Sequence, residues 1–229
     1  MKKIGDVLNK NDSFSIEDFS NIYSEDITKL ADNIDKQEVF DRFLTYRRRM
    51  ARLAAVQTLY LYDVMMKSGN LSSSSDMFGT NEIDIEQLCD NVLNYYKNVF
   101  FTPQEYGWTK KNKKLDESFM TELVGMAISS MKEIDSFIQS RLSGNWTIDK
   151  LDFVLRAIIR CAVAEILLGV KIEKAVLCSE YTNLAGNFFN GKEIGFINGI
   201  VDKLYSLVIK IHPFIDGVVI NDETTKNNF

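Results

Sequence analysis

Arg47, Arg48, Arg49 and Arg52 place four guanidinium groups within six residues of a chain whose 27 basic and 32 acidic side chains leave it at a formal charge of −5. Charge that concentrated against the net balance points to phosphate. Gln57, Tyr60 and Tyr62 follow, with the hydrogen-bonding and stacking chemistry that unpaired bases accept. Four phosphate contacts would give a log–log salt slope of roughly −0.7 × 4 ≈ −3 on a single strand, modest binding for one protein alone. The plainer alternative is a solvated basic face paired with residues 1 to 46, which hold ten acidic side chains against six basic ones.

Other chemistries fall away. The sole histidine, His212, precedes Pro213, and Cys89, Cys161 and Cys178 are far apart, so neither a catalytic triad nor a His/Cys zinc cage is expected. Three scattered cysteines give no disulfide framework, which fits a reducing, cytoplasmic setting. Gly186, Gly191 and Lys192 have phosphate-loop spacing, but Glu193 stands where such a loop needs Ser or Thr, and a helical pattern precedes it instead of a strand. Lys110, Lys111, Lys113 and Lys114 read as a solvated loop, and Glu82, Asp84 and Glu86 as surface charge. No catalytic set, no metal site and no cofactor is expected.

The elements that must position the arginines are helical. Only two prolines occur, and no sustained alternation of β-branched residues is present, so the class is all-α. Apolar spacing of three and four predicts helices over about 44 to 67, 83 to 101, 116 to 142, 148 to 169, and 172 to 210 with a break near 187 to 191. If the second-last stretch begins a new helix after Gly144 and Asn145, Thr147 is its candidate cap. Arg48 and Arg52 then share a face at the start of the first helix, where four cations oppose the helix dipole. Ala157 to Val170, the most apolar run, is broken by Arg160 and Glu165 and too short to span a membrane, so it reads as a buried core helix. With polar residues following so soon after Lys2 and Lys3, no signal peptide is expected. Gly191, Gly195 and Gly199 recur every four residues, each costing about 1 kcal/mol in a helix, which predicts close approach of a neighbouring helix with Asn198 reaching its backbone. The expected organisation is an acidic extension over 1 to 43, a helical domain over 44 to 210 with an enlarged insertion at 68 to 115 opening on a loop from Ser68 to Thr80, and a tail from 211 to 229.

Four ordered blocks carry a resemblance. Arg48, Arg49, Ala51, Arg52, Leu53, Ala54, Ala55, Val56, Gln57, Leu59 and Tyr60 resemble the opening signature of the NusB family of bacterial antitermination factors. Phe119, Leu123, Val124 and Gly125 are similar to its central helix, and Asn145, Trp146, Asp149, Leu151, Leu155, Arg156, Ala157, Ile159, Arg160 and Glu165 to its next block. Val176, Glu180, Ala185, Phe196, Ile197, Asn198, Gly199, Asp202 and Lys203 resemble its closing helix pair. Met50 replaces a third arginine of the family's run, Leu155 a residue that is often acidic on the partner-facing side, and Gly195 a frequent lysine.

The resemblance implies a two-subdomain helical bundle that binds boxA-type single-stranded RNA with the ribosomal protein NusE. It further implies a complex with other Nus factors on RNA polymerase that suppresses premature termination on ribosomal RNA operons. By it, Arg48, Arg49, Arg52, Gln57 and Tyr60, with Arg47 beside them, become the expected RNA contacts, and neither an enzyme nor a membrane protein is expected. Two other readings are an RNA-binding module like that of rRNA methyltransferases, without their cofactor domain, and a self-associating, homodimeric interaction module.

Overall fold

The computed structural model describes residues 36–69, 83–98, 115–169 and 171–212. The chain divides into two compact units, Met1–Arg47 with Phe101–Lys114, and Arg48–Phe100 with Leu115–Phe229. Seven α-helices occur among the described residues: α1 Lys36–Gly69, α2 Ile85–Asn98, α3 Glu117–Ser129, α4 Met131–Arg141, α5 Phe153–Leu167, α6 Lys174–Ala185 and α7 Lys192–Ile211. The all-α expectation holds, with no strand among these residues.

In the smaller unit only the start of α1 is described, where Arg42 pairs with Glu38 one turn away and the Thr45 hydroxyl donates to the Asp41 carbonyl. In the larger unit α5 is the central rod. Every residue from Leu155 to Ile166 is buried, Arg156, Arg160 and Glu165 among them, so this helix has neighbours all round and its charges must be paired. It packs on α3, α4, α6 and α7, while α7 also covers α4 and α6. From α1 the core receives Ala51, Ala54, Ala55, Val56 and Leu59, and from α2 Cys89, Val92, Leu93 and Tyr96.

Several boundaries differ from the expectation. The first helix begins at Lys36, twelve residues before Arg48, and ends at Gly69. It runs unbroken past position 43, and Ser68 and Gly69 belong to it; the rest of the expected loop, from 70 to 80, lies outside the described residues. The arginines therefore sit in a helix interior, where the dipole penalty, confined to the first turn, does not arise. The stretch from 116 to 142 is two helices joined at Ser130, whose backbone amide still reaches the Met126 carbonyl at 3.0 Å. Thr147 caps nothing. A 3-10 turn over Ile148–Lys150 comes first, and Asp152 caps α5 by accepting from the amides of Val154 and Leu155 at 2.8 and 3.3 Å.

The glycine expectation is also corrected. A Cβ placed on Gly195 or Gly199 would meet no atom within 4 Å, so none of the described helices approaches them closely. Of these three, Gly191 is the one whose backbone favours glycine, at φ +77° before α7. Asn198 takes a side-chain contact in place of a backbone one, accepting from the Thr182 hydroxyl at 3.3 Å.

Two buried charge clusters tie the helices together. In one, Asp63 of α1 accepts from Arg156 Nε at 2.9 Å and Arg160 Nη1 at 2.8 Å, and Arg160 reaches on to Asp135 of α4 at 2.7 Å. The other underlies the arginine face.

Candidate nucleic-acid interface

The arginines are held by carboxylates from distant parts of the chain. Arg52 is 6 % exposed. Its Nε and Nη2 donate to the two oxygens of Glu165 at 2.8 and 2.7 Å, and its Nη1 to Glu180 at 3.2 Å. Tyr181 donates its hydroxyl to the same Glu165 carboxylate at 2.8 Å. Burial alone would lower the Arg52 pKa, but the Glu165 hydrogen bond and the charges of Glu165 and Glu180 outweigh it and raise it. The Tyr181 hydroxyl is likewise pushed well up by burial and by Glu165. Where the sequence reading gave Arg52 to phosphate, its guanidinium here faces inward, each of its three nitrogens bonded to Glu165 or Glu180.

Glu180 joins the interior to the surface. It accepts from Arg49 Nε at 3.0 Å and Nη2 at 2.8 Å while also accepting from Arg52. Arg49 remains half exposed. Arg48 is tethered separately, with Nε 2.9 Å from Asp116 Oδ2 and Cζ 4.2 Å over the Phe119 ring. Arg47, the last residue of the smaller unit, lies with its guanidinium over Phe43 at 5.8 Å. Among the described residues, the acids that hold Arg48, Arg49 and Arg52 are Asp116 just before α3, Glu165 of α5 and Glu180 of α6.

Further along α1, Tyr60 stands eleven residues after Arg49, close to three whole turns, so the two share a face about 16 Å apart. Tyr60 is exposed and Gln57 half-buried, and both line a shallow cleft of about 290 Å³ with Val56, Leu61, Val154 and Phe188. Gln57 and Tyr60 lie together in this cleft, and Phe188, which the sequence reading did not single out, joins them from the loop after α6.

A second groove, of about 490 Å³, opens over Gly195 and Gly199. Exposed Trp146 and Phe196 flank it, with Arg141, Lys192 and Lys203 around the rim and Leu155 at its floor. Cations interleaved with exposed rings were the signal available in the sequence, hidden because they come from two segments some fifty residues apart. The Lys110 to Lys114 run lies outside the described residues.

Nothing among the described residues assembles nucleophilic or metal chemistry. No metal-ligating cluster is present there, and all three cysteines are free and buried. Burial, aided by Asp90 and Glu86, pushes the Cys89 thiol up to about 11, and burial raises Cys161 and Cys178 as well, away from the thiolate form. Among the described residues the His212 ring lies 3.2 Å from Glu133 and edge-on to Phe137. No described helix is long and apolar enough to cross a membrane.

Among the described residues the fold is all-helical, and one helix, α1, carries Arg48, Arg49, Gln57 and Tyr60 at its surface. The chain belongs to the NusB family, whose model matches residues 49–206. Among its relatives, the transcription antitermination protein NusB of Caulobacter vibrioides is 29 % identical over 157 residues, covering 69 % of this chain and 91 % of the relative. That of Bartonella henselae is 28 % identical over 174 residues, covering 75 % and 94 %. These relatives are named for antitermination and not for an enzymatic reaction. A solved structure of T. maritima NusB shares the fold at a TM-score of 0.50 and 21 % identity, covering 69 % of this chain and 90 % of that one. A crystal structure of antitermination factors NusB and NusE in complex with dsRNA shares it at 0.51 and 22 %, covering 71 % and 98 %.

Proposed function

We propose that this protein is a transcription antitermination factor that binds boxA-type single-stranded RNA in nascent ribosomal RNA transcripts together with the ribosomal protein NusE, within a complex of other Nus factors on RNA polymerase. The observation that carries the reading is the placement of Arg48 and Arg49, charged and half exposed, on the helix that also presents Gln57 and Tyr60. Guanidinium groups hold phosphates and fix register, while the amide and the ring meet unpaired bases. Arg52 supports this face from beneath through Glu180. With it withdrawn from phosphate, Arg47, Arg48 and Arg49 leave a salt slope of roughly −0.7 × 3 ≈ −2. So shallow a slope suits a protein that reads RNA with a partner.

The groove at Trp146 and Phe196, with Leu155 at its floor, is the surface we assign to NusE, and the apolar cleft beside Tyr60 and Leu61 offers further stacking for the same RNA. A solved NusB–NusE–RNA assembly of this fold supports both partners. The methyltransferase-module alternative is disfavoured, because relatives matched over about nine tenths of their length are antitermination proteins. A self-associating module would give a light-scattering mass near twice 26.2 kDa that falls on adding NusE.

The test is fluorescence anisotropy with a boxA-containing RNA in the presence of NusE. Arg48→Glu with Arg49→Glu should abolish binding in the working range while thermal stability changes by a few degrees. Undiminished binding would remove these residues from the site.

A further inference from the structure

The terminal edge of Arg48 is the one part of its guanidinium left to a ligand among the described residues. Its Nε edge is taken by Asp116 Oδ2 at 2.9 Å, and one face lies on the Phe119 ring at 4.2 Å. Both restraints come from the same turn of chain. Asp116 is the N-cap of α3, its Oδ1 accepting from the Phe119 amide at 3.2 Å, so the carboxylate itself cannot swing away without uncapping the helix. One oxygen is fixed by the backbone and the other fixes the arginine. The fork that remains, Nη1 and Nη2, has the geometry that meets two phosphate oxygens at once.

We infer that Asp116 is a positioning residue for RNA, locking Arg48 in the rotamer that presents its terminal nitrogens to a phosphate. This rests on the proposed RNA reading of the arginine face and adds to it a residue 68 positions away that never touches RNA. An untethered arginine would be immobilised only on binding, and that ordering cost is what Asp116 and Phe119 remove in advance. The carboxylate also repels phosphate, but its charge is already spent on Nε, and the repulsion is screened by salt whereas the ordering gain is not. The net effect of Asp116 is therefore tighter binding, most evident at higher ionic strength.

Asp116→Asn tests this cleanly. Asn is as good an N-cap as Asp, so α3 keeps its start, but once its oxygen serves the Phe119 amide its other end is an NH2 that cannot accept from Arg48. Anisotropy titrations of the full chain with NusE and boxA RNA, at two salt concentrations, should show Asp116→Asn weakening binding about two- to ten-fold. The loss should be larger at the higher salt concentration, and the melting temperature should stay unchanged. Asp116→Ala should weaken RNA to the same extent and also lower the melting temperature, which separates the two jobs of the residue. In an Arg48→Ala background, Asp116→Asn should have no effect. Unchanged or tighter binding by Asp116→Asn, or an equal effect with and without Arg48, overturns the inference while leaving the RNA reading intact. If Arg48→Ala itself leaves RNA binding unaltered, the RNA reading of this residue fails first, and the role of Asp116 with it.

Discussion

Arg52 and Glu165 form a two-pronged ion pair 113 residues apart in sequence, with bonds of 2.8 and 2.7 Å and side chains 7 % and 0 % exposed. The pair fixes the turn of α1 that carries Arg48 and Arg49 to the central rod of the bundle. Removing one member strands the other's charge in the interior, which costs about 3–5 kcal/mol in such settings. Arg52→Ala should therefore show a large drop in the urea midpoint and a correspondingly lower melting temperature. A change of less than 1 kcal/mol would mean that Glu165 finds another partner or water.

Arg49 behaves differently because it is half exposed and Glu180 keeps Arg52 when Arg49 is lost. Arg49→Ala should cost less than about 1 kcal/mol of stability, as for other surface ion pairs. On RNA it should weaken binding and reduce the magnitude of the salt slope by about 0.7, the signature of one lost phosphate contact. Salt titrations of wild type and variant measure this directly, and an unaltered slope would assign Arg49 wholly to Glu180.

The three glycines before and within α7 should respond in opposite directions. Gly199→Ala adds a methyl group where nothing lies within 4 Å and improves helix propensity, so a gain of about 0.5–1 kcal/mol is expected. Gly191→Ala forces a side chain onto φ +77° and should lose about 1–2 kcal/mol. Denaturant melts of the two variants suffice, and a loss at Gly199 would reveal a packing partner at that face.

Stability should fall on the alkaline side. The folded chain holds the Cys89 proton up to about pH 11 against an ordinary thiol value of 9.0, so between those values the unfolded state binds fewer protons and unfolding is favoured as pH rises. The contribution is complete below pH 9 and is lost on passing through 11. Melting temperatures at pH 8, 9, 10 and 11 should decline, and the decline should be shallower in Cys89→Ala. An equal decline in both would move the effect to the raised Tyr181 and Cys161 groups.

What the sequence disclosed follows the range of each interaction. Apolar residues three and four apart are local, and from them the helices at 85–98, 153–167, 174–185 and 192–211 were legible within a few residues. Ser130 was not, because the apolar stripe continues through it and serine is a weak helix breaker. Asp152, and not Thr147, proved to be the cap because a 3-10 turn intervenes, and single-turn geometry leaves little pattern. The arginine cluster stood out by charge density, yet the split between a buried Arg52 and half-exposed Arg48 and Arg49 depends on Glu165, Glu180 and Asp116. Those partners lie 113, 131 and 68 residues away, and no local spacing encodes such pairs. Gly195 and Gly199 misled for a related reason: small residues at regular spacing fit both a close helix contact and an open groove.

The most direct test of the account is a titration of boxA RNA and a scrambled strand of equal length, at two salt concentrations, with and without NusE. The account predicts weak, unselective binding by the chain alone, with a slope near −2, and a marked tightening for boxA over the scramble when NusE is present. Equal affinity for both strands with NusE, or no binding of either, would contradict it.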